Sequence, residues 1–326
     1  MLSDQYNRRI NYLRVSITDR CNLKCAYCMP HELTPKLSHD DILSYEEILR
    51  LVAIGVRLGV TKVRITGGEP LVRKGVYEFF SALTSIEGLT DVALTTNGVF
   101  LADNIEKIRS VGIQRINISL DSLNRKKYQH ITGQDCFDQV WRGIEKAKQT
   151  GMNPIKLNVV MLRGINDDEI LDLARLSFTH PFHIRFIEYM TIGTNRVHIG
   201  DTLLTPEIEE RISSLGRLNA LEKGEKDGPA EMYQLEGAMG KIGFISALSH
   251  HFCHLCNRIR LTASGQLRPC LLSDHEVDIK GPMRKGCSDK DLEDIFRKAV
   301  NQKPIGHQMA ADHPVRIATQ MSSIGG

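Results

Sequence analysis

Six short β-rich runs alternate with amphipathic stretches over the first 190 residues of this 326-residue chain. Strand–helix alternation with connections of this length predicts βαβ units, and therefore a parallel sheet with right-handed crossovers. Periodicity alone does not decide between an open sheet and a partial barrel. The predicted strands are 13–18, 62–67, 92–96, 115–121, 155–161 and 183–188, and the predicted helices are 45–58, 76–83, 104–111, 137–149 and 168–176.

The predicted strands have one apolar face and one polar, basic face. Leu13, Val15 and Ile17 alternate with polar side chains, and the runs 62–66 and 115–121 repeat this pattern. A doubly wound sheet buries both faces and normally has near-continuous apolar strands. A polar face fits the lumen of a barrel wide enough to hold ligands. We therefore predict an α/β fold with a partial, TIM-like (β/α)6 barrel whose site lies at the C-terminal ends of the strands. A two-layer sheet with one solvated face is the alternative.

The character of the sequence changes after residue 190. A short helix is predicted at 207–215, the polar run GEKDGPA follows, and two β-like runs cover 232–235 and 242–245. We divide the chain into a barrel domain, 1–230, and a C-terminal domain, 231–326. The 42 basic and 39 acidic residues give a formal charge of only +3, which argues against a nucleic-acid scaffold. We expect no membrane span and no secretory signal.

The cysteines are grouped in threes. They lie at 21, 25, 28, 136, 253, 256, 270 and 287. A long chain without an export signal that clusters its cysteines in this way points to metal ligation in a reducing compartment, so we expect a cytoplasmic protein. Cys136 and Cys287 stand alone, and we interpret them as small buried hydrophobic residues.

The first triplet, Cys21-x3-Cys25-x2-Cys28, directly follows the first strand. Three thiolates can hold a [4Fe–4S] cluster with one iron left open for a small molecule. They can also hold zinc if a fourth ligand completes the site, and His31 is the nearest candidate. The position at the active face of a barrel favours the cluster.

The second triplet, Cys253-x2-Cys256-x13-Cys270, leaves the same two interpretations open. Zinc would take its fourth ligand from His250, His251 or His254. Between these cysteines, Arg258 and Arg260 lie two residues apart, so on an extended segment both side chains project to one side. A solvated strand face is the simple interpretation. However, the polar barrel face already carries one cation on each of four strands, namely Arg14, Arg64, Lys156 and Arg185. Buried cations need an anionic partner, such as a polyphosphate.

The first triplet, with Tyr27 before its third cysteine, resembles the motif of the radical S-adenosylmethionine superfamily. Gly67-Gly68-Glu69-Pro70 at the end of the second strand resembles the GGEP element that receives the methionine amino group in that family. The resemblance implies that S-adenosylmethionine binds at Tyr27, Gly68, Ser119 and Met190, and that Thr95 contacts substrate. Without it, the glycines are a tight turn and the hydroxyls are strand-end caps.

Three segments together narrow the resemblance: RVSITDRCNLKCAYCMP, VRITGGEPLVR and FCHLCNRIRLTASGQLRPCL. They are similar to the bacterial GTP 3′,8-cyclase family of molybdenum cofactor biosynthesis, over residues 13–326. The resemblance implies two [4Fe–4S] clusters, S-adenosylmethionine, and conversion of GTP to (8S)-3′,8-cyclo-7,8-dihydroguanosine 5′-triphosphate. The 5′-deoxyadenosyl radical would remove the ribose 3′ hydrogen. The second cluster would hold guanine, and the phosphates would contact Arg14, Arg64, Lys156, Arg185, Arg258 and Arg260.

The family also implies partners and a role for the C-terminus. The partners are GTP, a reducing electron donor and a downstream cyclic pyranopterin monophosphate synthase, with no nucleic acid and no membrane. The chain would be a monomer or a homodimer. The final Gly325-Gly326 would enter the active site, whereas a frayed tail is the simple alternative.

Two other functions are compatible with two metal sites. A radical enzyme that modifies peptides with an auxiliary cluster generally has more cysteines after the barrel and no reason for a cationic lumen. A non-catalytic metal sensor predicts closed four-ligand sites and no polar lumen.

Overall fold

The fold was analysed in a computed structural model of the chain. The structure describes residues 1–28, 36–193, 197, 202–222, 224, 228–309 and 317–325. Two residues named above, His31 and Gly326, lie outside this part of the chain. No helix in the described part is long and apolar enough to cross a membrane.

Six parallel strands form the centre of one sheet. Each pairs with the next in chain order, so the strand–helix alternation gives the predicted topology. The strands are β1 (Tyr12–Ser16), β2 (Lys62–Thr66), β3 (Asp91–Thr96), β4 (Arg115–Ser119), β5 (Ile155–Met161) and β6 (His183–Glu188). The predicted runs that began at 13, 62 and 115 extend one or two residues too far at their C-terminal ends.

Helices cover the outer face of these strands. They are α1 (Tyr45–Arg57), α2 (Val76–Thr84), α3 (Leu101–Ser110), α4 (Arg125–Thr132), α5 (Phe137–Gln149) and α6 (Ile170–Thr179). The apolar strand residues Leu13, Val15 and Ile17 are fully buried in the core shared with the helices. Alternation therefore assigned the two faces of the strands correctly.

Helix α4 was not predicted from the sequence. It is short and strongly basic, RKKYQHIT, and only Tyr128, Ile131 and Thr132 are buried, so it has few apolar positions to mark it. Its end signals were present, however. The Asn124 side chain accepts hydrogen bonds from the first-turn backbone, and Gly133 ends the helix with a positive φ of 71°.

The remaining chain extends both edges of the sheet. After α7 (Thr205–Ser213), the strands are β7 (Leu218–Ala220), β8 (Glu231–Leu235), β9 (Lys241–Ile245), β10 (Arg258–Leu261), β11 (Gln266–Arg268) and β12 (Val277–Asp278). Strand β9 lies parallel to β6, and β10 lies parallel to β1. The twelve-stranded sheet therefore ends at β12 and β7 and does not close.

The open sheet confirms the predicted α/β fold with a partial barrel and a C-terminal extension. The extension also contributes α8 (Lys280–Arg284), α9 (Asp289–Asn301) and the short α10 (Met321–Ile324). The domain boundary at residue 230 stays a prediction. Strands β9 and β10 lie beyond this boundary but belong to the same sheet as the barrel strands. The pairing of β10 with β1 places Cys256, just before β10, at the N-terminal end of β1, opposite the end from which the first triplet follows.

Candidate active site

One cavity of about 280 Å³ receives almost all of the predicted site residues. Both triplets line it, so cysteines more than 220 positions apart in the sequence face the same space. The lining also contains Tyr27, Gly68, Thr95, Ser119, Met190, Arg14, Arg64, Arg185, Arg258 and Arg260. Of the predicted residues that the structure describes in the two cavities, Lys156 is absent from this lining; it lines a smaller cavity to which Arg185 also contributes.

The first triplet occupies the loop after β1. The Cys28 backbone N–H donates to the Cys25 carbonyl at 3.0 Å, which makes a tight turn. Burial raises the pKa of Cys25 well above its usual value and that of Cys28 to about 12, and the neighbouring thiols add to both shifts. Buried thiols that disfavour one another's ionisation need a cation to become ligands. The loop therefore suits a positively charged metal group.

The separation of the sulfurs distinguishes the two metal interpretations. In a tetrahedral zinc site with Zn–S bonds of about 2.3 Å, the sulfurs lie about 3.8 Å apart. Among the described residues, only His251, Cys253 and His307 form a group whose metal-binding atoms all lie within 4.8 Å of one another. Neither cysteine triplet meets that limit. The wider separation fits a larger group such as an iron–sulfur cluster.

Gly68 allows the GGEP segment to lie directly against the cysteine loop. A Cβ atom at Gly68 would overlap the Arg20 carbonyl, and one at Gly67 would come within 2.6 Å of the Thr18 oxygen. The following Glu69 is fully buried. It accepts hydrogen bonds from the backbone of Leu71 and Asn97 and from the Thr96 hydroxyl. Glycine at these positions is therefore a packing requirement as well as part of a motif.

Asp121 is a site residue that the sequence analysis missed. Tyr27 Oη donates to Asp121 Oδ2 at 2.6 Å, and the Val160 backbone N–H donates to Oδ1 at 2.9 Å. Burial raises the pKa of Asp121 to about 6, although both of these hydrogen bonds oppose the shift. Asp121 therefore fixes the Tyr27 ring, and with it the cysteine loop, to the ends of β4 and β5. Its place at the C-terminal end of the predicted strand 115–121 was the available signal.

The second triplet lies in a more positive environment than the first. Burial alone would raise the pKa of Cys256, but Arg258 and Lys303 lower it to about 6. Lys303 was not identified from the sequence. Its Nζ donates to the carbonyls of Pro269 at 2.6 Å and Arg258 at 2.9 Å, so it joins the two cysteine-bearing segments. This thiolate forms readily at neutral pH.

A band of arginines separates the two triplets. Arg260, Arg14 and Arg64 are direct neighbours on adjacent parallel strands, which lie about 4.8 Å apart. Burial would raise the pKa of the adjacent Tyr12, yet Arg64 and Arg14 lower it to about 8, together with Lys62 and Arg258. The nearby carboxylate of Asp91 is shared by Lys62 at 3.1 Å and Arg115 at 2.6 Å.

Several buried polar atoms of this cavity have no protein partner in the described part of the chain. They are Arg64 Nε, Arg185 Nε, Thr95 Oγ1 and Asn158 Oδ1. Buried polar groups are normally hydrogen-bonded, because an unmet group costs about 1–3 kcal/mol. Arg185 is held by Asn117, whose Oδ1 accepts from Nη2 at 2.6 Å. The cavity therefore has the donors and the charge to bind a polar, anionic ligand.

Lys156 is buried among cations and has no acidic partner in the described residues. Burial, together with the positive charges of Arg185, Arg115 and Arg64, lowers its pKa to about 6. The unfolded chain binds this proton up to about pH 10.4, whereas the folded protein releases it near pH 6. This group therefore makes the protein more stable as pH rises between those values.

We expect Lys156→Met to stabilise the substrate-free protein at pH 7 by about 0.5–2 kcal/mol, because it removes an unpaired buried amine. The gain should fall by up to about 1.4 kcal/mol per pH unit above pH 7 and should be gone by pH 9. Urea unfolding at both pH values measures it, and the exposed Lys290→Met should change little. A variant less stable than wild type at pH 7 would contradict this account of Lys156.

The C-terminal tail reaches the arginine band. The Gly325 carbonyl accepts a hydrogen bond from Arg260 Nη1 at 2.9 Å, and a Cβ at Gly325 would come within 2.6 Å of Thr66. The tail is tied down by Arg268, a fully buried side chain that donates to Thr319 Oγ1 at 2.7 Å. Asp274 also accepts from the backbone N–H groups of Ala318 and Thr319. Gly325 is therefore not part of a frayed end.

Comparison with known proteins decides the family. Residues 15–177 match the Radical SAM superfamily, and residues 182–309 match the Molybdenum Cofactor Synthesis C family. The chain is 47% identical over 325 residues to GTP 3′,8-cyclase of Moorella thermoacetica, with 100% of both chains covered. This chain belongs to the GTP 3′,8-cyclase family. The enzyme of the same name from Thermodesulfovibrio yellowstonii is 48% identical over 329 residues, again with 100% of both chains covered.

The fold also matches that of a solved structure. Streptococcus suis SuiB bound to S-adenosylmethionine superimposes with a TM-score of 0.61 at 15% identity, covering 90% of this chain and 68% of that one. This structural similarity shows that the two chains share a fold. Membership of the radical S-adenosylmethionine superfamily implies a [4Fe–4S] cluster and S-adenosylmethionine as cofactors.

Proposed function

We propose that the chain is a GTP 3′,8-cyclase that forms (8S)-3′,8-cyclo-7,8-dihydroguanosine 5′-triphosphate, the first step of molybdenum cofactor biosynthesis. One observation supports it most strongly: two cysteine triplets face one cavity, and a band of arginines lies between them. Such a cavity suits a reaction that needs one metal group for a cofactor, a second for the substrate and cations for a polyphosphate.

Cys21, Cys25 and Cys28 would hold the first cluster. The chemistry supplied there is one-electron reductive cleavage of S-adenosylmethionine to a 5′-deoxyadenosyl radical. Around it, Tyr27, Gly68, Ser119 and Met190 would bind the cofactor. The hydrogen bond from Tyr27 to Asp121 would hold the ring in place, and the close approach at Gly68 would keep the GGEP backbone against the loop.

Cys253, Cys256 and Cys270 would hold a second [4Fe–4S] cluster, with an open position for the guanine. The phosphates would lie along the arginine band, held by Arg14, Arg64, Arg185, Arg258 and Arg260. Lys156, which lines the smaller cavity together with Arg185, would act on them through its charge and that neighbour. Thr95 Oγ1, buried and without a protein partner in the described chain, would donate to the nucleoside. Arg260 already donates one N–H to Gly325, and a guanidinium has five such donors, so others remain for a phosphate.

GTP-dependent turnover tests this proposal. Anaerobically reduced protein, incubated with S-adenosylmethionine and GTP, should form 5′-deoxyadenosine and one new nucleoside triphosphate in equal amounts. Chromatography quantifies both compounds. Equal formation of 5′-deoxyadenosine with ATP in place of GTP, and no new triphosphate, would contradict the proposal.

Arg260→Ala should weaken GTP binding by about 10- to 150-fold, because a charge-assisted hydrogen bond contributes roughly 1.5–3 kcal/mol. Calorimetric titration of samples with full iron content measures this. Arg260→Lys should recover only part of the affinity, since a point charge does not reproduce the planar fork. The exposed Arg175→Ala is the matched control, for which we expect less than about 0.5 kcal/mol. Unchanged affinity in Arg260→Ala would mean that this arginine does not hold the nucleotide.

The other predicted features fit the same proposal. The reaction needs a reducing electron donor, and its product needs a downstream cyclic pyranopterin monophosphate synthase. The cytoplasmic location and the monomeric or homodimeric state stay predictions. The cationic cavity argues against the metal sensor, which has no need of a polar lumen, and against the peptide-modifying enzyme, which has no need of a phosphate site.

A further inference from the structure

Two histidines lie beside Cys253, and neither has a role in the proposed reaction. His251 Nδ1 is 2.9 Å from His307 Nε2, and the ring centroids are 4.2 Å apart. One ring nitrogen of each histidine and the Cys253 sulfur lie within 4.8 Å of one another. Two imidazole nitrogens and one thiolate at this spacing are a ligand set typical of zinc.

The distances are close to those of a bound ion. With Zn–N bonds of about 2.0–2.1 Å and a Zn–S bond of about 2.3 Å, tetrahedral geometry separates the nitrogens by about 3.3 Å and nitrogen from sulfur by about 3.6 Å. The two nitrogens would move apart by about 0.4 Å, and both rings would turn so that their lone pairs point at the ion. A metal would replace the proton that the two facing nitrogens now share in their hydrogen bond.

The fold itself holds Cys253 close to His307. Arg8, paired with Asp4 at 2.6 Å, donates to the Cys253 carbonyl at 2.7 Å. The same guanidinium donates to the carbonyls of Pro304 at 2.6 Å and Ile305 at 3.1 Å. One buried arginine therefore joins the turn that carries Cys253 to the loop that carries His307. His251 is exposed, so an ion can enter from solvent.

We propose that His251, Cys253 and His307 form a zinc site that excludes the second cluster. A thiolate bound to zinc in this site is withdrawn from Cys256 and Cys270, so the second triplet keeps only two of its three ligands. Zinc bound before the cluster is assembled would then block assembly. The binding site itself does not depend on the cyclase activity; the exclusion rests on the proposed role of Cys253 as a cluster ligand.

Cobalt(II) titration of iron-free protein tests the ligand set. The first triplet is replaced by serine so that only the second region binds metal. We expect one Co²⁺ per chain, with charge-transfer absorbance of a single thiolate. His251→Ala and His307→Ala should each weaken binding by more than roughly 100-fold, since loss of even an outer-shell partner costs 10- to 100-fold. His254→Ala and Cys256→Ser should bind as the parent does.

The opposite pattern would overturn the proposal. If Cys256→Ser and Cys270→Ser abolish binding whereas His251→Ala does not, the ion occupies the cysteine triplet. Absence of cobalt binding would equally overturn it. No turnover is measured in this titration, so its failure leaves the cyclase proposal standing, and an inactive enzyme leaves the zinc site standing.

Reconstitution tests the exclusion. Otherwise unmodified protein loaded with one zinc ion should rebuild about four irons instead of about eight. Zinc-treated His251→Ala should rebuild about eight, because its zinc site is lost while all six cysteines remain. Full iron incorporation into zinc-loaded wild type, with zinc retained, would contradict mutual exclusion.

Discussion

Cys25→Ala is expected to abolish cleavage of S-adenosylmethionine. Only three cysteines of the barrel face the first site, and removal of one leaves two protein ligands for a four-iron cluster. Formation of 5′-deoxyadenosine under reducing conditions measures the effect, which should be complete within detection. The second site should keep its iron, about four atoms per chain.

A matched cysteine controls for nonspecific damage. Cys136 is half-buried and is not among the residues that line the cavity, so Cys136→Ala should leave cleavage and iron content unchanged. Normal 5′-deoxyadenosine formation by Cys25→Ala would refute the assignment of the first triplet.

Cys270→Ala is expected to prevent formation of the cyclised nucleotide while some uncoupled cleavage of S-adenosylmethionine survives. Cys270 would hold the second cluster, whose role is to bind substrate, so its loss should remove about half of the iron. Iron analysis, product chromatography and 5′-deoxyadenosine measurement separate these outcomes. Cys287→Ala, outside the cavity lining, should behave as wild type.

Zinc at Cys253, Cys256 and Cys270 in fully reconstituted, active protein would contradict the account of Cys270. So would normal product formation by Cys270→Ala. The two triplets should therefore respond differently to mutation. Loss of the first should stop formation of the radical, and loss of the second should stop reaction of the radical with the nucleotide.

The barrel was predictable because local pattern decides it. Alternation at Leu13, Val15 and Ile17 identified the apolar face, and turn and strand spacing gave the parallel order. Helix α4 was not predicted because few of its residues are apolar. Tertiary packing and its two capping residues determine where this helix forms. The pairing of β9 with β6 and of β10 with β1 was not predicted, because pairing between distant segments leaves no periodic pattern in the sequence.

The cysteines that we propose as metal ligands were identified from the sequence, but the residues that hold them in place were not. Cysteine spacing is a local signal, as are the two-residue spacing of Arg258 and Arg260 and the glycines at 67 and 68. Asp121, Lys303 and Arg268 act across long sequence separations, so only the folded chain shows what they contact. The place of Lys156 in a separate cavity likewise depends on the three-dimensional packing of β5.

We expect one cavity to hold S-adenosylmethionine and GTP with their reacting carbons adjacent. Turnover with GTP that carries deuterium at the ribose 3′ position tests it most directly. The account predicts 5′-deoxyadenosine that contains one deuterium atom, detected by mass spectrometry, with deuterium at any other ribose carbon left in the nucleotide. Unlabelled 5′-deoxyadenosine from 3′-deuterated GTP, formed at the normal rate, would contradict it.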